Sequence, residues 1–200
     1  MSDRPLILAS ASPRRRRLMK EMGFTFDVVA PDVKEVHYLN DLYGSVMENA
    51  SIKCAWCKAR HPDAIILAAD TGIEFEGRTI MKPRSHDEAA EFLGRFSGNT
   101  HTVMTGIALA VPDGEMRLHV ETSQVTFLEL TEATIQAYIE NVNPIDRAGA
   151  YDIDECGEMI VASHKGSFTN IVGLPREIVE EWLATYLSIG SSSAASAPHI

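Results

Sequence analysis

The sequence has few cysteines and no long apolar run, and both shortages limit the kind of protein it can encode. Three cysteines in 200 residues are too few, and odd in number, for the disulfide framework of a small secreted domain. No apolar stretch approaches the roughly 20 residues that a membrane-spanning helix needs. The apolar segment at residues 6–9 is also too short for the core of a signal peptide. We therefore expect a cytoplasmic protein with no membrane partner.

Two of the cysteines, Cys54 and Cys57, form a C-x-x-C pair, a spacing that also occurs in redox and zinc sites. A redox pair is expected where a helix begins after a strand, because the helix N-terminus lowers the thiol pKa. These cysteines instead lie inside a predicted helix, and the sequence has no second pair to complete a zinc site. We interpret them as packed or half-exposed thiols.

Basic residues are also scarce. The 18 Lys and Arg residues against 28 Asp and Glu give a net charge of −10. This balance argues against general nucleic-acid binding, because basic side chains that neutralise phosphates supply most of that affinity. Four arginines nevertheless stand in one run, Arg14–Arg17, and such a local concentration can bind a small anion on an acidic protein.

Several common catalytic motifs are missing as well. The seven histidines form no H-x-H or H-E-x-x-H pattern, so a transition-metal site has no support. The sequence also lacks the Gly-x-Ser-x-Gly and Walker P-loop patterns, which argues against nucleophile-elbow hydrolases and ordinary P-loop NTPases.

The residues that are present are typical of a globular α/β protein. Hydrophobic residues make up 45% of the chain and charged residues 23%, as in ordinary domains. Predicted strands and helices interleave, but two long strands flank a turn at residues 112–114 and should pair antiparallel. We therefore expect an α/β fold with a mixed, partly antiparallel sheet flanked by helices. A single domain is predicted over residues 1–188, with a disordered Ser/Ala-rich tail at 189–200.

Hydrophobic periodicity and turn signals place the individual elements. Strands are predicted at residues 6–10, 24–30, 65–69, 102–111, 116–128 and 158–163, with a hairpin at 73–80. Helices are predicted at residues 12–23, 42–60, 85–97, 132–141 and 175–187.

The segment Ser10–Arg15 has the features of a phosphate-binding site. It joins a strand to a helix, and the first N–H groups of a helix are free to bind an anion. Ser10 and Ser12 add hydroxyl donors, and Arg14 and Arg15 add guanidinium groups that suit phosphate oxygens. The alternative is a basic first turn that only faces solvent. Because positive charge is unfavourable at a helix N-terminus, we favour the phosphate site, and we expect the last two arginines of the run to be solvated.

Asp70 is expected to end a buried strand, where catalytic groups of α/β proteins often lie. A carboxylate there could bind Mg²⁺ or orient a water molecule, although an ordinary turn residue is the alternative. Lys53 and Lys82 are candidate cations, each ambiguous by itself. The acidic candidates for a metal are Asp32, Glu35 and Asp154. From the residues alone, the inference stops at a phosphate-handling α/β enzyme.

Several short motifs follow one another with a characteristic spacing between about residues 5 and 185. They are Leu8–Arg15, Ala50 with Lys53, Ala69–Thr71, Lys82-Pro83, residues 97–106, Ala148–Tyr151 and Val172–Pro175. Together they resemble the motifs of the Maf family of nucleotide pyrophosphatases.

This resemblance implies a fold similar to that of inosine-triphosphate pyrophosphatases, with two lobes around a cleft, and a homodimer. It implies Mg²⁺- or Mn²⁺-dependent attack of water at the α-phosphate of a nucleoside triphosphate, which releases the monophosphate and pyrophosphate. Asp70 would activate the water, and Glu35 would bind the metal together with Asp70. The residues implied to hold the triphosphate are Ser10, Arg14, Arg15, Lys53 and Lys82; Ser12 and Asp154 have uncertain roles.

The segment Ala148–Tyr151 resembles the family branch that acts on dTTP and UTP, which commonly continues Gly-Ile-Gln. Here the run continues Asp-Ile-Asp, so Asp154 puts an acid where that branch has glutamine. It could be an extra metal ligand or could repel the phosphates. Lys34 also stands where an acid often precedes Glu35. The alternatives are a 7-methyl-GTP pyrophosphatase of the same family and a non-catalytic, nucleotide-binding regulator of septum formation.

Overall fold

The computed structural model describes residues 4–145 and 147–187. Their strands form one seven-stranded sheet in the order β2–β1–β3–β5–β6–β7, with β4 paired to β3 outside this path. The strands are β1 (Leu6–Ala9), β2 (Asp27–Val28), β3 (Ile65–Phe75), β4 (Arg78–Ile80), β5 (Thr100–Ala110), β6 (Arg117–Phe127) and β7 (Val161–Lys165). The predicted tail at residues 189–200 lies outside the described residues, and the division of the chain at residue 188 stays a prediction.

Among the described residues, six α-helices pack around the sheet. They are α1 (Pro13–Glu21), α2 (Leu42–Arg60), α3 (His86–Phe96), α4 (Glu132–Asn141), α5 (Phe168–Val172) and α6 (Arg176–Ala184). Among residues 4–145 and 147–187, no helix is both long and apolar enough to cross a membrane.

The sheet combines both strand directions. β1 pairs in parallel with β2 and β3, and these connections contain helices α1 and α2, as parallel crossovers require. β3, β5, β6 and β7 form an antiparallel series. The predicted mixed α/β fold is confirmed.

One predicted helix start and one long helix are also confirmed. The Ser12 hydroxyl accepts a hydrogen bond from the Arg15 N–H at 3.4 Å, and Pro13 takes the first helical position of α1, the residue types preferred there. α2 has the predicted bounds, and Cys54 and Cys57 lie buried on it. Burial raises the pKa of the Cys54 thiol to about 12, so this thiol is not a reactive thiolate.

The C-terminal elements and one early strand differ from the prediction. The expected strand at residues 24–30 contains only the two residues of β2 that pair with β1. Phe24 and Phe26 pack against a hydrophobic core, so their alternation reflects packing, and the ladder does not extend to them. β7 begins at Val161, later than expected, and α5 was not predicted because five residues are too few to show a helical period.

The expectation that a strand ends before Asp70 is wrong, because β3 continues for 11 residues to Phe75. Thr71-Gly72 looked like a turn, but Gly72 pairs with Met104 inside the ladder. A Cβ atom at Gly72 would overlap the Leu42 side chain of α2. The glycine therefore permits close approach of a helix to the sheet, which is the other common reason for glycine in a strand.

The long strand β3 passes through two differently packed regions, which correspond to two lobes on one sheet. In its first half, residues 65–69 alternate between a core that includes α1 and α6 and a core on the α2 face. In its second half, Ile73 and Phe75 join a core with α3 and α4. On one edge of β3, β1 pairs as far as Ala68 and β4 begins only at Ile73. The segment between them is an open edge in the middle of the sheet.

Candidate active site

A cleft of about 830 Å³ opens at this gap between β1 and β4. Its walls come from the turn between β1 and α1, from α2, from the middle of β3, and from the loop after α4. Every predicted site residue except Asp32 and Asp154 lines it: Ser10, Ser12, Arg14, Arg15, Glu35, Lys53, Asp70 and Lys82.

The alternation of side chains along β3 decides toward which wall of the cleft each residue in the middle of this strand points. Asp70 shares a face with Ile66 and Ala68, which pack in the α2 core, because every second residue of a strand points the same way. Its neighbour Thr71 points to the opposite face and accepts a hydrogen bond from Arg15 Nη2 at 2.9 Å. The middle of β3 therefore supplies groups to both walls of the cleft.

On the α2 side, two carboxylates converge on one ammonium group. Lys53 Nζ lies 2.7 Å from Asp70 Oδ1 and 2.6 Å from Glu35 Oε1. We call Glu35, Lys53 and Asp70 the carboxylate end of the cleft. Burial raises the pKa of Glu35, but the hydrogen bond and charge of Lys53, helped by nearby His37 and Lys82, outweigh it and leave this pKa below its ordinary value.

The carboxylate end contains a residue that the sequence analysis missed. Asn49 is 1% exposed and donates a hydrogen bond from Nδ2 to Asp70 Oδ2 at 3.0 Å. Ser45, Asn49 and Lys53 are polar and buried at four-residue intervals on α2. Because residues four apart lie above one another on a helix, this buried polar row was a signal that could have identified Asn49.

At the other wall, a buried carboxylate joins two guanidinium groups. Asp152 Oδ2 accepts hydrogen bonds from Arg14 Nη1 at 2.9 Å and from Arg147 Nη1 at 2.7 Å. The Asp152 side chain is 3% exposed, while Arg147 also pairs with Glu155 at the rim, at 2.8 Å. We call Arg14, Arg15, Arg147 and Asp152 the arginine end. Asp152 stands where the dTTP/UTP branch of the family commonly has glycine. This departure is the sequence signal that could have identified Asp152 as a site residue.

Arg15 fixes the turn that follows β1. Its Nε donates to Gly173 O at 2.8 Å and its Nη1 to Ser10 Oγ at 3.2 Å, in addition to the bond to Thr71. Three of its five N–H donors are thus bound by neutral protein groups. Burial lowers the pKa of Arg15, an effect partly opposed by the Asp70 charge, but a guanidinium stays charged at neutral pH.

The remaining predicted residues differ in how closely they join the site. Lys82 is an exposed residue just after β4, and its charge contributes to the lowered pKa of Glu35. Asp154 is not among the residues that line the cleft, and it forms an ion pair with Arg17. Arg16 and Arg17 are exposed, as expected from their place on the helix.

The carboxylate end has the donor set that suits a hard divalent cation. Within the described ranges, no three His, Cys, Asp or Glu side chains are grouped to hold a metal. Mg²⁺, however, is commonly bound by only one or two carboxylates, with water and substrate phosphates as its other ligands. The oxygens of Glu35 and Asp70 already meet around one cation, the Lys53 ammonium. These two carboxylates therefore fit such a metal.

Comparisons with known proteins agree with the geometry. The profile of a family described as Maf-like protein matches residues 5–186. The chain is 39% identical over 173 residues to the dTTP/UTP pyrophosphatase of Halalkalibacterium halodurans, across 86% of this chain and 90% of the relative. It is 40% identical over 172 residues to the dTTP/UTP pyrophosphatase of Akkermansia muciniphila, with the same two coverages, 86% and 90%.

A solved structure supports the fold. The Ham1 protein of Staphylococcus aureus superposes with a TM-score of 0.52 at 17% sequence identity, over 91% of this chain and 99% of that chain. At this identity the likeness concerns the fold alone, and it agrees with the fold that the sequence resemblance implied.

Proposed function

The chain belongs to the Maf-like family, and on this premise we propose that it hydrolyses dTTP and UTP to the monophosphate and pyrophosphate. Relatives that carry this activity in their names are 39% and 40% identical to it over most of its length. Modified pyrimidine nucleotides are further candidate substrates.

The observation that carries the proposal is the opposite charge of the two ends of one cleft. The carboxylate end has two carboxylates around one ammonium, and the arginine end adjoins the free N-terminus of α1. A nucleoside triphosphate needs cationic groups for its phosphates and carboxylates for its metal. One cleft offers both.

The arginine end and the turn before α1 would bind the triphosphate. Ser10, the first N–H groups of α1 and the guanidiniums of Arg14 and Arg15 are the donors for phosphate oxygens. Lys53 and Lys82 would neutralise the remaining charge from the other wall. Phosphoryl transfer depends mainly on such positioning and charge stabilisation.

Mg²⁺ or Mn²⁺, when bound, stabilises the charge that develops on phosphate oxygens, and Glu35 and Asp70 are the residues proposed to hold it. Asp70 also accepts a proton from the attacking water. The water oxygen forms a bond to the α-phosphorus, the bond from that phosphorus to the bridging oxygen breaks, and pyrophosphate leaves with the electron pair.

Pyrophosphate release from a panel of nucleoside triphosphates, with Mg²⁺ or Mn²⁺, tests the proposal beside Asp70→Asn. We expect turnover of dTTP and UTP, and a loss of roughly 100- to 10,000-fold in kcat for the variant, the usual cost of removing a general base. Folded wild-type protein that hydrolyses no nucleotide would overturn the proposal.

The same panel distinguishes the alternatives. Hydrolysis of 7-methyl-GTP alone would keep the reaction and change the substrate. Binding of nucleotide without turnover would support a non-catalytic regulator of septum formation. The ion-paired cluster of Glu35, Lys53 and Asp70 favours an enzyme instead.

A homodimer, which the sequence resemblance implies, and a cytoplasmic location, which the sequence composition favours, complete the proposal. Light scattering coupled to size-exclusion chromatography would test the dimer, because it gives a mass of about twice the 22.0 kDa of one chain if the dimer forms.

A further inference from the structure

Asn49 contacts both segments that carry the acidic residues of the site. Its Oδ1 accepts a hydrogen bond from the Val36 N–H at 2.8 Å, and its Nδ2 donates to Val36 O at 3.0 Å. Val36 directly follows Glu35. The same Nδ2 donates to Asp70 Oδ2 at 3.0 Å. One amide group therefore binds the backbone next to one carboxylate and the second carboxylate itself.

The hydrogen bonds divide the two oxygens of Asp70 between two residues of α2. Lys53 Nζ donates a hydrogen bond to Oδ1 at 2.7 Å, and Asn49 Nδ2 donates one to Oδ2 at 3.0 Å. A carboxylate held at both oxygens cannot rotate freely about its Cβ–Cγ bond. Because Lys53 is shared with Glu35, the hydrogen bond from Asn49 is needed to fix the plane of the Asp70 carboxylate.

The segment that carries Glu35 has no regular secondary structure between β2 and α2. Thr79 of β4 donates hydrogen bonds to Tyr38 O and Leu39 O in this segment, and side chains of α2 provide further tethers. Asn49 supplies one at Val36, and Ser45, one helical turn earlier, supplies another by accepting the Tyr38 N–H at 2.8 Å. Of these two tethers, the Asn49 tether lies next to Glu35 and continues to Asp70.

We infer that Asn49 is a positioning residue that sets the spacing of Glu35 and Asp70 and so prepares them to bind a divalent cation. This inference rests on the proposed function, because it assigns Asn49 to the metal-binding pair of the same site. Residues that orient metal ligands typically contribute 10- to 100-fold to metal affinity or activity. Asn49 lines the cleft but is only 1% exposed, and its amide group is already bonded to Val36 and Asp70, so we assign it to holding the two acids and not to substrate.

The test compares Asn49→Leu, which keeps the size of the side chain, with Asn49→Ala, which cannot overpack the site. Mn²⁺ binding to the nucleotide-free protein is measured by electron paramagnetic resonance, and kcat and KM are measured with dTTP. We expect the Mn²⁺ dissociation constant to rise and kcat to fall by roughly 10- to 100-fold. KM should stay within about threefold, because the phosphate donors of α1 are untouched.

Ser45→Ala is the matched control. It removes a tether to the same segment from the same buried face of α2, but Ser45 bonds Tyr38 and Asp41 and leaves the Asn49 bond to Asp70 in place. We expect it to change Mn²⁺ affinity and kcat less than threefold. If Ser45→Ala loses as much as the Asn49 variants, Asn49 is only one of several loop tethers and the inference is wrong.

Other outcomes separate this inference from the proposed function. Folded Asn49 variants whose Mn²⁺ affinity and kcat stay within twofold of wild type would overturn the inference alone. So would wild-type protein that hydrolyses dTTP without binding Mn²⁺. Wild-type protein that binds Mn²⁺ but hydrolyses no nucleotide would overturn the proposed function, while the change in Mn²⁺ affinity would still decide the role of Asn49.

Discussion

The two ends of the cleft carry opposite charge and are built in different ways. At the carboxylate end, two acids and one ammonium leave a formal charge of −1. At the arginine end, three guanidiniums against Asp152 and the rim residue Glu155 leave +1. Under the proposed function, this difference would place the two parts of a metal–nucleotide substrate at opposite walls, since cations favour the first end and phosphates the second.

The ends also differ in how they are held. The arginine end is fixed by a carboxylate that is 3% exposed and shared by two arginines. The carboxylate end depends on Lys53 and Asn49 of α2 to hold a segment without regular structure. Donors that are already oriented lose little conformational freedom when they bind a ligand. We therefore expect substitutions at the arginine end to weaken substrate binding, and those at the carboxylate end to slow the chemical step.

After Asp70→Asn, Glu35→Gln should give the largest effect. The variant keeps the shape and one acceptor oxygen but removes the charge that would bind the metal. We expect kcat for dTTP to fall roughly 100-fold with KM within about threefold, because the change acts on the transition state more than on binding. Steady-state kinetics at several Mn²⁺ concentrations would measure both constants. Asp32→Asn, an exposed acid on the same segment, is the control and should stay within twofold.

Arg14→Gln should give the converse pattern. Loss of one charge-assisted hydrogen bond to phosphate costs about 2 kcal/mol, so we expect KM for dTTP to rise roughly 30-fold while kcat changes less. Arg16→Gln is the matched control, since Arg16 is exposed on the same helix. If Arg14→Gln instead lowers kcat and leaves KM unchanged, the division of labour between the two ends is wrong.

Much of the cleft could be predicted from sequence because its residues sit where local rules are strong. Ser12-Pro13 marks a helix start, and the free N–H groups that follow make a phosphate site independent of the rest of the fold. The bounds of α2 were also predicted, and its start is capped locally by Asp41, which accepts a hydrogen bond from the Gly44 N–H. These features depend on residues close to one another in the chain.

The features that were predicted wrongly or missed depend on contacts between residues far apart in the chain. Whether Thr71-Gly72 turns or continues a strand is decided by β5 and by the approach of Leu42, far along the sequence. Likewise, the Arg14–Asp152 pair joins residues separated by 138 positions. No local pattern records such a partner, so the arginine end could be predicted only in part.

The stability of the protein should depend on pH through His101, a buried residue that contacts the segment carrying Asp152. The Tyr151 hydroxyl, just before Asp152, shares a 2.8 Å hydrogen bond with the buried His101, and burial lowers the pKa of His101 from 6.5 to about 4. Between these values the unfolded chain binds a proton that the folded protein does not, so stability falls as the pH falls. We expect this residue to cost about 1 kcal/mol of unfolding free energy between pH 6.5 and 5.5.

Urea unfolding at the two pH values would measure this loss, with His101→Phe as the variant. The Phe side chain suits the surrounding aromatic cluster, in which Phe96 stacks on His101 with ring centroids 4.4 Å apart. The variant should lose less stability on acidification by about 1 kcal/mol, whatever its absolute stability. An equal loss in both proteins would mean that other groups cause the dependence.

Asp154→Gln should have the smallest effect, although it restores the residue that the dTTP/UTP branch commonly carries. Asp154 pairs with Arg17, which is 48% exposed, and exposed ion pairs contribute about 0–1 kcal/mol. Because Asp154 is not among the residues that line the cleft, kcat and KM for dTTP should stay within twofold. A tenfold change in kcat, or in the Mn²⁺ concentration needed for half-maximal activity, would mean that Asp154 turns into the cleft when substrate binds. The arginine end would then carry a metal ligand of its own, and the separation of charge between the two walls would no longer hold.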